Sequence, residues 1–581
     1  MDDSASATAY PQTRGASLFD FGFSRVWPRH AFAGLVLVCL AIGASAAWSD
    51  QAHAAGKAES VVSTAVIGSW PVSLHPLQGD EFGHVMAKRF VNRPLLEAGP
   101  GGLTCVYCVS VPSVADGSLR TVRDSDGTWI TVARYIMRPD VRWADGVAMT
   151  TADVAFTWEV LTSTGRGLAD SDQRIINVKS IQVIDERRFD VVYTGSACSD
   201  QLSVPPLLPA HLEKPIWQSN PAEYFSNSLY RTKPGTPGLY SGPYRVVAAD
   251  GTTLHLEENI YWPGQKPAYG KVDLLVPANQ AALETAVRAG KVDVFTTLTF
   301  DVGSRLARDL TNAYNAFYAP SDFLVHLKVN FTNPILSDLR VRKALLFSLN
   351  RDALVSSVLE GKGTVAQSLL SPFMPGYAPV SRYPFNLTKA NQLLDAAGWV
   401  RGRDGMRHNI SGVPLRFELR YRGNHPWPQL APRLAEAWQA VGAQVDLVED
   451  AALSGDAVDT TQRYSGLVGF SQSLEGGLEA ARFWFHSTMI PNAANGKRGN
   501  NYFAVRIKTL DDALDHLTQA GCAVDPRRDA LTEVQKAYAD DLPALPLWFG
   551  TVITLANKRI DGAVDARTFA SAPVEYWHPR L

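Results

Sequence analysis

Thr128–Leu161 reads TWITVARYIMRPDVRWADGVAMTTADVAFTWEVL. Its first part alternates apolar and polar residues, the pattern of a half-buried strand. Asp145-Gly146 is a turn signal. Thr151-Ala152-Asp153 then opens a helix, with Thr as the N-cap and apolar residues at helical spacing behind it. Strand, turn and helix therefore succeed one another, and the same alternation recurs outward along the chain. VVSTAVI near residue 61 reads as a strand, and HVMAKRFVNRPLLEAG (84–99) as helical. SIQVIDERRFDVVYTG (180–195) predicts a hairpin turning at Asp185-Glu186-Arg187, and GPYRVVAADGTTLHLEEN (242–259) another turning at Asp250-Gly251. Helices are expected at 279–290, 339–350, 387–398, 427–442 and 530–541, several closed by glycine. Strands are expected at KVDVF, VPLRFELRYRG, AQVDLVED and LPALPLWFGTVITLAN. Alternating helices and strands with added hairpins predict an α/β protein with mixed sheets and at least two lobes.

The chain has 581 residues, 46% of them hydrophobic, too many for one ordinary domain. Lys+Arg 55 against Asp+Glu 57 leaves a net charge of -2, which points to neither nucleic acid nor an anionic membrane surface. The start of the chain differs from the rest. Arg25 and Arg29 precede the uncharged run Ala31–Trp48, and small-residue processing options follow at Ala44-Ser45-Ala46 and Ala52-His53-Ala54. That order is a secretory signal, taken as residues 1–54, with an uncleaved anchor as the alternative. Val38 before Cys39 disfavours lipid anchoring. Removing the signal leaves Cys105, Cys108, Cys198 and Cys522, and an exported compartment permits disulfides. Cys105-Val-Tyr-Cys108 is expected as a local disulfide, with free thiols as the alternative; no second CxxC completes a zinc site.

Catalytic machinery is missing from the pattern. There is no G-x-S-x-G elbow, no H-E-x-x-H and no P-loop. The 12 His show no pair at ligand spacing on one helix face. Asp511-Asp512 lie at a helix start, where acids suit the helix dipole. No catalytic residue, metal or cofactor is expected.

Several blocks together resemble the family 5 extracellular solute-binding proteins, the oligopeptide, dipeptide and nickel receptors of ABC transporters. Thr128–Leu161 is similar to that family's strand ending in R-P-G-V and D-G, followed by T-A-x-D-V. Gly242-Pro243-Tyr244 with Asn259 and Tyr261-Trp262 resembles G-P-Y … N-x-x-Y-W. RAGKVDVF, VNFTNPILSDLRVRKALLFSLNRDALV, KANQLLDAAGW and VQKAYADDLPALPLW follow in the family's order. These blocks read mostly as scaffold: Asp338, for example, can cap the helix carrying Arg340 and Arg342.

The resemblance implies a two-lobed periplasmic-binding-protein fold, type II-like with an extra inserted domain, hinged on two crossing strands. A discontinuous first domain would comprise 57–98, 233–325 and 548–581; the inserted domain, 99–232; and the second lobe, 326–547. It implies a periplasmic monomer that binds a small-molecule or peptide-like ligand between the lobes and hands it to ABC permease subunits. Peptide-binding members pair an acid with the ligand's amino terminus. Here the matching stretch, Gly466–Glu479, reads GLVGFSQSLEGGLE, with Phe470-Ser471-Gln472-Ser473-Leu474 where the acid is expected; the acid is missing, or is replaced by Glu475 one turn later. An ammonium buried without a counter-charge is costly. Candidate ligand contacts are Trp70, His75 and Phe82 in the first loop, Trp427 in a Pro-rich loop, Gln472 and Glu475, and Trp484, His486 and Asn501 in the block resembling F-H-S … G-x-N.

Overall fold

The computed structural model describes residues 60–580 apart from 69, 71–72, 79–81, 100–101, 164–177, 196, 199–201, 298, 452, 454–463, 474–476, 496–498, 522–523 and 565–571. Two long strands, Tyr314–Val329 and Ala544–Asn557, pair antiparallel and form the middle of an eleven-stranded sheet. On one side lie Leu467–Gln472, Arg416–Tyr421 and Gln444–Glu449. On the other lie Val294–Thr297, Val61–Ala65, Lys271–Leu275, Thr253–Glu258 and Tyr244–Asp250. The ladder of the long pair is interrupted between Pro320 and Leu324. Pro320 brings no N–H to it. That break divides the sheet into two lobes, and the expected pair of crossing strands is present.

Each half also contains parallel strands. Arg416–Tyr421 pairs parallel with Gln444–Glu449 and with Leu467–Gln472, and the helix Trp427–Ala440 makes the first crossover. Gly442, at φ 90°, ends that helix in the left-handed region glycine favours. In the other half, Val61–Ala65 pairs parallel with Lys271–Leu275 and Val294–Thr297. A separate antiparallel sheet runs Leu119–Arg123, Trp129–Ile136, Arg188–Thr194, Val178–Val183. It has its own core around Trp143, Tyr135, Phe189 and Tyr193. Just before it, Cys105 and Cys108 are joined by a disulfide.

Local chemistry explains most boundaries, and three differ from expectation. The cap of the helix Thr151–Thr162 is Thr150, not Thr151. Thr150 Oγ1 accepts from Ala152 N at 3.2 Å, and Asp153 Oδ2 accepts from Thr150 N at 2.9 Å, a reciprocal capping box. Thr151 instead donates to the Asp185 carbonyl at 2.6 Å, tying the helix to the hairpin turn. The helix Phe82–Val91 stops short of Pro94, and Leu96–Gly99 is a strand rather than more helix. The last helix begins at Val524, not 530, because Pro526 is tolerated in a first turn. Among the described residues no helix is long and apolar enough to cross a membrane. The leader assignment, 1–54, lies outside the described residues.

Two buried arginines stitch the second lobe to the strand Ala544–Asn557. Arg342 donates to the carbonyls of Leu336, Ser337, Asp541 and Leu542 at 2.7–3.0 Å. Arg351 donates to the carbonyls of Ala366, Pro546 and Tyr383 and to Gln367 Oε1. Burial pushes both guanidiniums down to about 10, so both stay charged at neutral pH. Each offsets its own desolvation with four acceptors, although Arg351 Nε is buried without one. Arg351→Ala strands three buried carbonyls and is expected to cost about 3 kcal/mol or more, read by urea denaturation. A loss under 1 kcal/mol would show that those carbonyls find other donors.

Candidate functional site

A cavity of about 420 Å³ opens where the two long strands cross. Ser321, Phe323 and Val325 come from one strand, and Trp548, Gly550 and Thr551 from the other. One lobe adds Thr299 and Phe300, at the start of the helix Phe300–Asp309. The other adds Arg422, Asn424, His425 and Trp427, from the loop between a parallel strand and its crossover helix, and Gly469, Phe470 and Ser471. Pockets collect at domain interfaces and at the carboxyl ends of parallel strands, and this one is at both.

Its walls are aromatic. Trp427 and Trp548 are almost fully buried, as is Phe300. Gly469 is there because Trp427 needs the room: a Cβ on it would lie 2.6 Å from the indole. The polar groups are hydroxyls, one amide, His425 and Arg422, and none of the described lining residues is Asp or Glu. Arg422 is exposed and has no acidic partner among the described residues. His425 Nδ1 approaches Asp301 Oδ1 of the other lobe at 3.6 Å. Burial lowers its pKa, against the pull of Asp301, so the imidazole is neutral at pH 7. Asp322, beside the lining residues, accepts a hydrogen bond from Ser473.

Behind Phe470 lies a buried cation. Lys328 Nζ stands 3.9, 4.4 and 5.4 Å from the ring centroids of Phe470, Trp484 and Phe503. Burial pushes its pKa down to about 7, and among the described residues no acid pairs with it. The π faces offset part of the desolvation. Next to it, His326 is fully buried with neither ring nitrogen hydrogen-bonded.

Of the sequence-predicted contacts, the structure brings only Trp427 into this cavity. Trp70 is 37% exposed and stands apart from it. His75 is buried among Tyr224, Phe225 and Tyr230, its Nδ1 accepting from Leu77 N, and burial pulls its pKa to about 3. It is a packing residue of the first lobe. Phe82 begins the helix Phe82–Val91, but its side chain is outside the described residues, as is Glu475. Gln472 is buried one residue beyond the lining, with both amide ends lacking a hydrogen-bond partner. Trp484 faces Lys328, and His486 is held by Thr488 and Asp515. Asn501 spends its amide on the carbonyls of Phe485, His486 and Val505 and on Val505 N. Its capacity is used, so it braces a loop rather than meeting a ligand.

Motif matching selected residues that hold the second lobe together. Arg422, Asn424 and His425 were missed, although they precede the helix of a strand–helix–strand unit, a position that signals a ligand site.

Two outcomes are expected. Gly469→Ala should lower the unfolding free energy by about 1–3 kcal/mol, because the indole cannot retreat; wild-type stability would show that Trp427 can move. Lys328 is protonated in the unfolded chain up to its ordinary value near 10.5 but only to about 7 when folded. Folding stability therefore rises with pH between those values. Lys328→Met should raise Tm relative to wild type at pH 7, with the gain shrinking toward pH 10. A gain that does not change with pH would assign it to packing alone.

Comparison with known proteins agrees with this architecture. Oligopeptide-binding protein AppA of Bacillus subtilis is 26% identical over 435 residues, 71% of this chain and 74% of its own. The oligopeptide-binding protein of Thermus thermophilus, solved with a pentapeptide, superposes with a TM-score of 0.68 at 22% identity, covering 89% of this chain and 94% of that one. NikA of Brucella suis, solved with Fe(III)-EDTA, gives 0.70 at 18%, covering 90% and 100%. Residues 121–466 match the family described as bacterial extracellular solute-binding proteins, family 5 Middle, and the chain belongs to that family.

Proposed function

We propose that this protein is the receptor of an ABC importer that closes its lobes on a small organic solute bearing an anionic group and an apolar body. One observation carries the reading: a cavity between lobes, walled by Trp427, Trp548 and Phe300, offers Arg422 and no carboxylate among its described lining residues. Apolar surface suits the aromatic walls, and the guanidinium suits a carboxylate or phosphate. A free peptide ammonium finds no counter-charge in that lining. Peptide-like solutes with a blocked or absent amino terminus remain within the class. An anionic metal chelate is the second reading, favoured by the same cationic lining and by the likeness to NikA, whose solved ligand is Fe(III)-EDTA.

The domain division 57–98 with 233–325 and 548–581, 99–232, and 326–547 is carried forward in this proposal. Two cores lying mainly within single divisions support it, one around Trp143 and another around Tyr464, Phe485 and Tyr538. So are export with removal of the leader, monomeric state, the absence of nucleic-acid binding, and release of the ligand unchanged. A residue such as Arg422 then reads affinity, not turnover.

Calorimetry on the mature protein tests the solute. Matched peptides would be compared with free or acetylated amino termini and free or amidated carboxyl termini, alongside EDTA chelates of iron and nickel. Acetylation should be tolerated and amidation should abolish binding. Arg422→Gln should weaken binding about 10- to 100-fold, the worth of one charged hydrogen bond. An obligatory free ammonium, or recovery of a chemically altered ligand, would overturn the proposal.

A further inference from the structure

The strand Leu467–Gln472 runs antiparallel to Tyr314–Val329, with Leu324 opposite Gln472, His326 opposite Phe470 and Lys328 opposite Val468. Side chains alternate across a strand, and directly opposed residues share a face. One face therefore carries Val325, Gly469 and Ser471, which line the cavity. The other carries His326, Lys328, Phe470 and Gln472.

That second face is costly for an interior. Lys328 is 7% exposed, His326 0% and Gln472 6%. Both ring nitrogens of His326 and both ends of the Gln472 amide are buried without a hydrogen-bond partner among the described residues. Lys328 meets the rings of Phe470, Trp484 and Phe503 and, among the described residues, no acid. Apolar side chains of similar volume would suit this space better, because a buried cation and orphaned polar atoms each disfavour the folded state. Native interiors leave few such atoms, and each one calls for an explanation. Three side chains that lower stability, gathered on one face of two paired strands, point to a binding role.

Their position fits that role. Leu324–Gln472 is the last pair of its ladder on the side of the hinge break. Ser471, one residue earlier, lines the cavity. Gln472 thus stands at the strand end, where the cavity face meets the face of Lys328. The Lys328 ammonium leans toward that end: it lies 3.9 Å from the ring centroid of Phe470, two residues nearer the end than Val468, which Lys328 opposes. We propose that Lys328, His326 and Gln472 form a second recognition group of this receptor, taking an acidic group of the solute distinct from the one at Arg422. The inference rests on the solute reading above and narrows it to a dianion. One carboxylate meets Arg422 in the cavity, the second passes the end of the strand to Lys328, and the apolar body stays against the aromatic walls. The ammonium, the imidazole N–H and the amide N–H groups are donors to that carboxylate, and the Gln472 carbonyl oxygen accepts from an N–H beside it. A low local dielectric strengthens each of these contacts.

Calorimetry with N-acetylated dipeptides that keep a free carboxyl terminus, and differ only in a glutamate or glutamine side chain, tests the second group. The glutamate peptide should bind the wild type about 10- to 100-fold more tightly, the worth of one charged hydrogen bond. Lys328→Met should erase that preference while amidation of the carboxyl terminus still weakens binding. Arg422→Gln should do the reverse. Because Lys328→Met is expected to be more stable than wild type at pH 7, lost discrimination in it is not lost folding. Equal affinity of the wild type for the two peptides, or a preference that survives Lys328→Met, would overturn the second group and leave the Arg422 reading standing. Failure of every acetylated peptide to bind would overturn both. A crystal structure of the glutamate-peptide complex should place the side-chain carboxylate within hydrogen-bond distance of Lys328 Nζ. Ordered water alone on His326 and Gln472, with that carboxylate elsewhere, would equally sink the assignment.

Discussion

The antiparallel ladder between Tyr314–Val329 and Ala544–Asn557 is the constraint on which the rest of the molecule depends. Everything from residue 330 to 543 leaves the first lobe on one strand and must return on its neighbour, one strand spacing away. The second lobe is therefore a closed excursion with its own sheet edge and a core around Tyr464, Phe485 and Tyr538, while another core is shared by both lobes. The ladder's break at Pro320–Leu324 is the place where backbone can bend without losing many bonds. The cavity sits at that break, so a solute there touches both lobes and both strands.

A hinge of two strands transmits little unless the lobe is rigid up to the strand. Arg342 and Arg351 meet that requirement. Their side chains bind backbone carbonyls next to Ala544–Asn557, including those of Leu542 and Pro546. Because all but the Gln367 contact go to main chain, the arginines fix loop positions largely without regard to what side chains those loops carry. The price in desolvation is high, which explains why the pair sits where several loop carbonyls converge.

The cavity combines indole walls with a guanidinium on a strand-to-helix loop. Gly469 yields its side-chain volume to Trp427, and Phe470 turns its ring toward Lys328. One short strand thus serves the cavity on one face and the second lobe's interior on the other. Changes meant to alter the ligand will be felt in the core behind it.

The sequence by itself determined the fold class and much of the element order, because these rest on local periodicity, caps and turns; of the two hinge strands Ala544–Asn557 was legible and Tyr314–Val329 was not. Asp153, Asp338 and Gly442 act within a few residues of where they stand. The six family blocks were legible for the same reason, and Arg342 and Arg351 in one of them brace the hinge; outside those blocks, His486 and Asn501 hold loop backbone. Only the tertiary structure brought the candidate site together. Whether His75 meets solvent or Tyr224, and whether Arg422 faces a cavity, depends on surfaces contributed by segments over a hundred residues apart. Cys198 beside Gly521 is the extreme case, since no local pattern carries information about a contact across 323 residues.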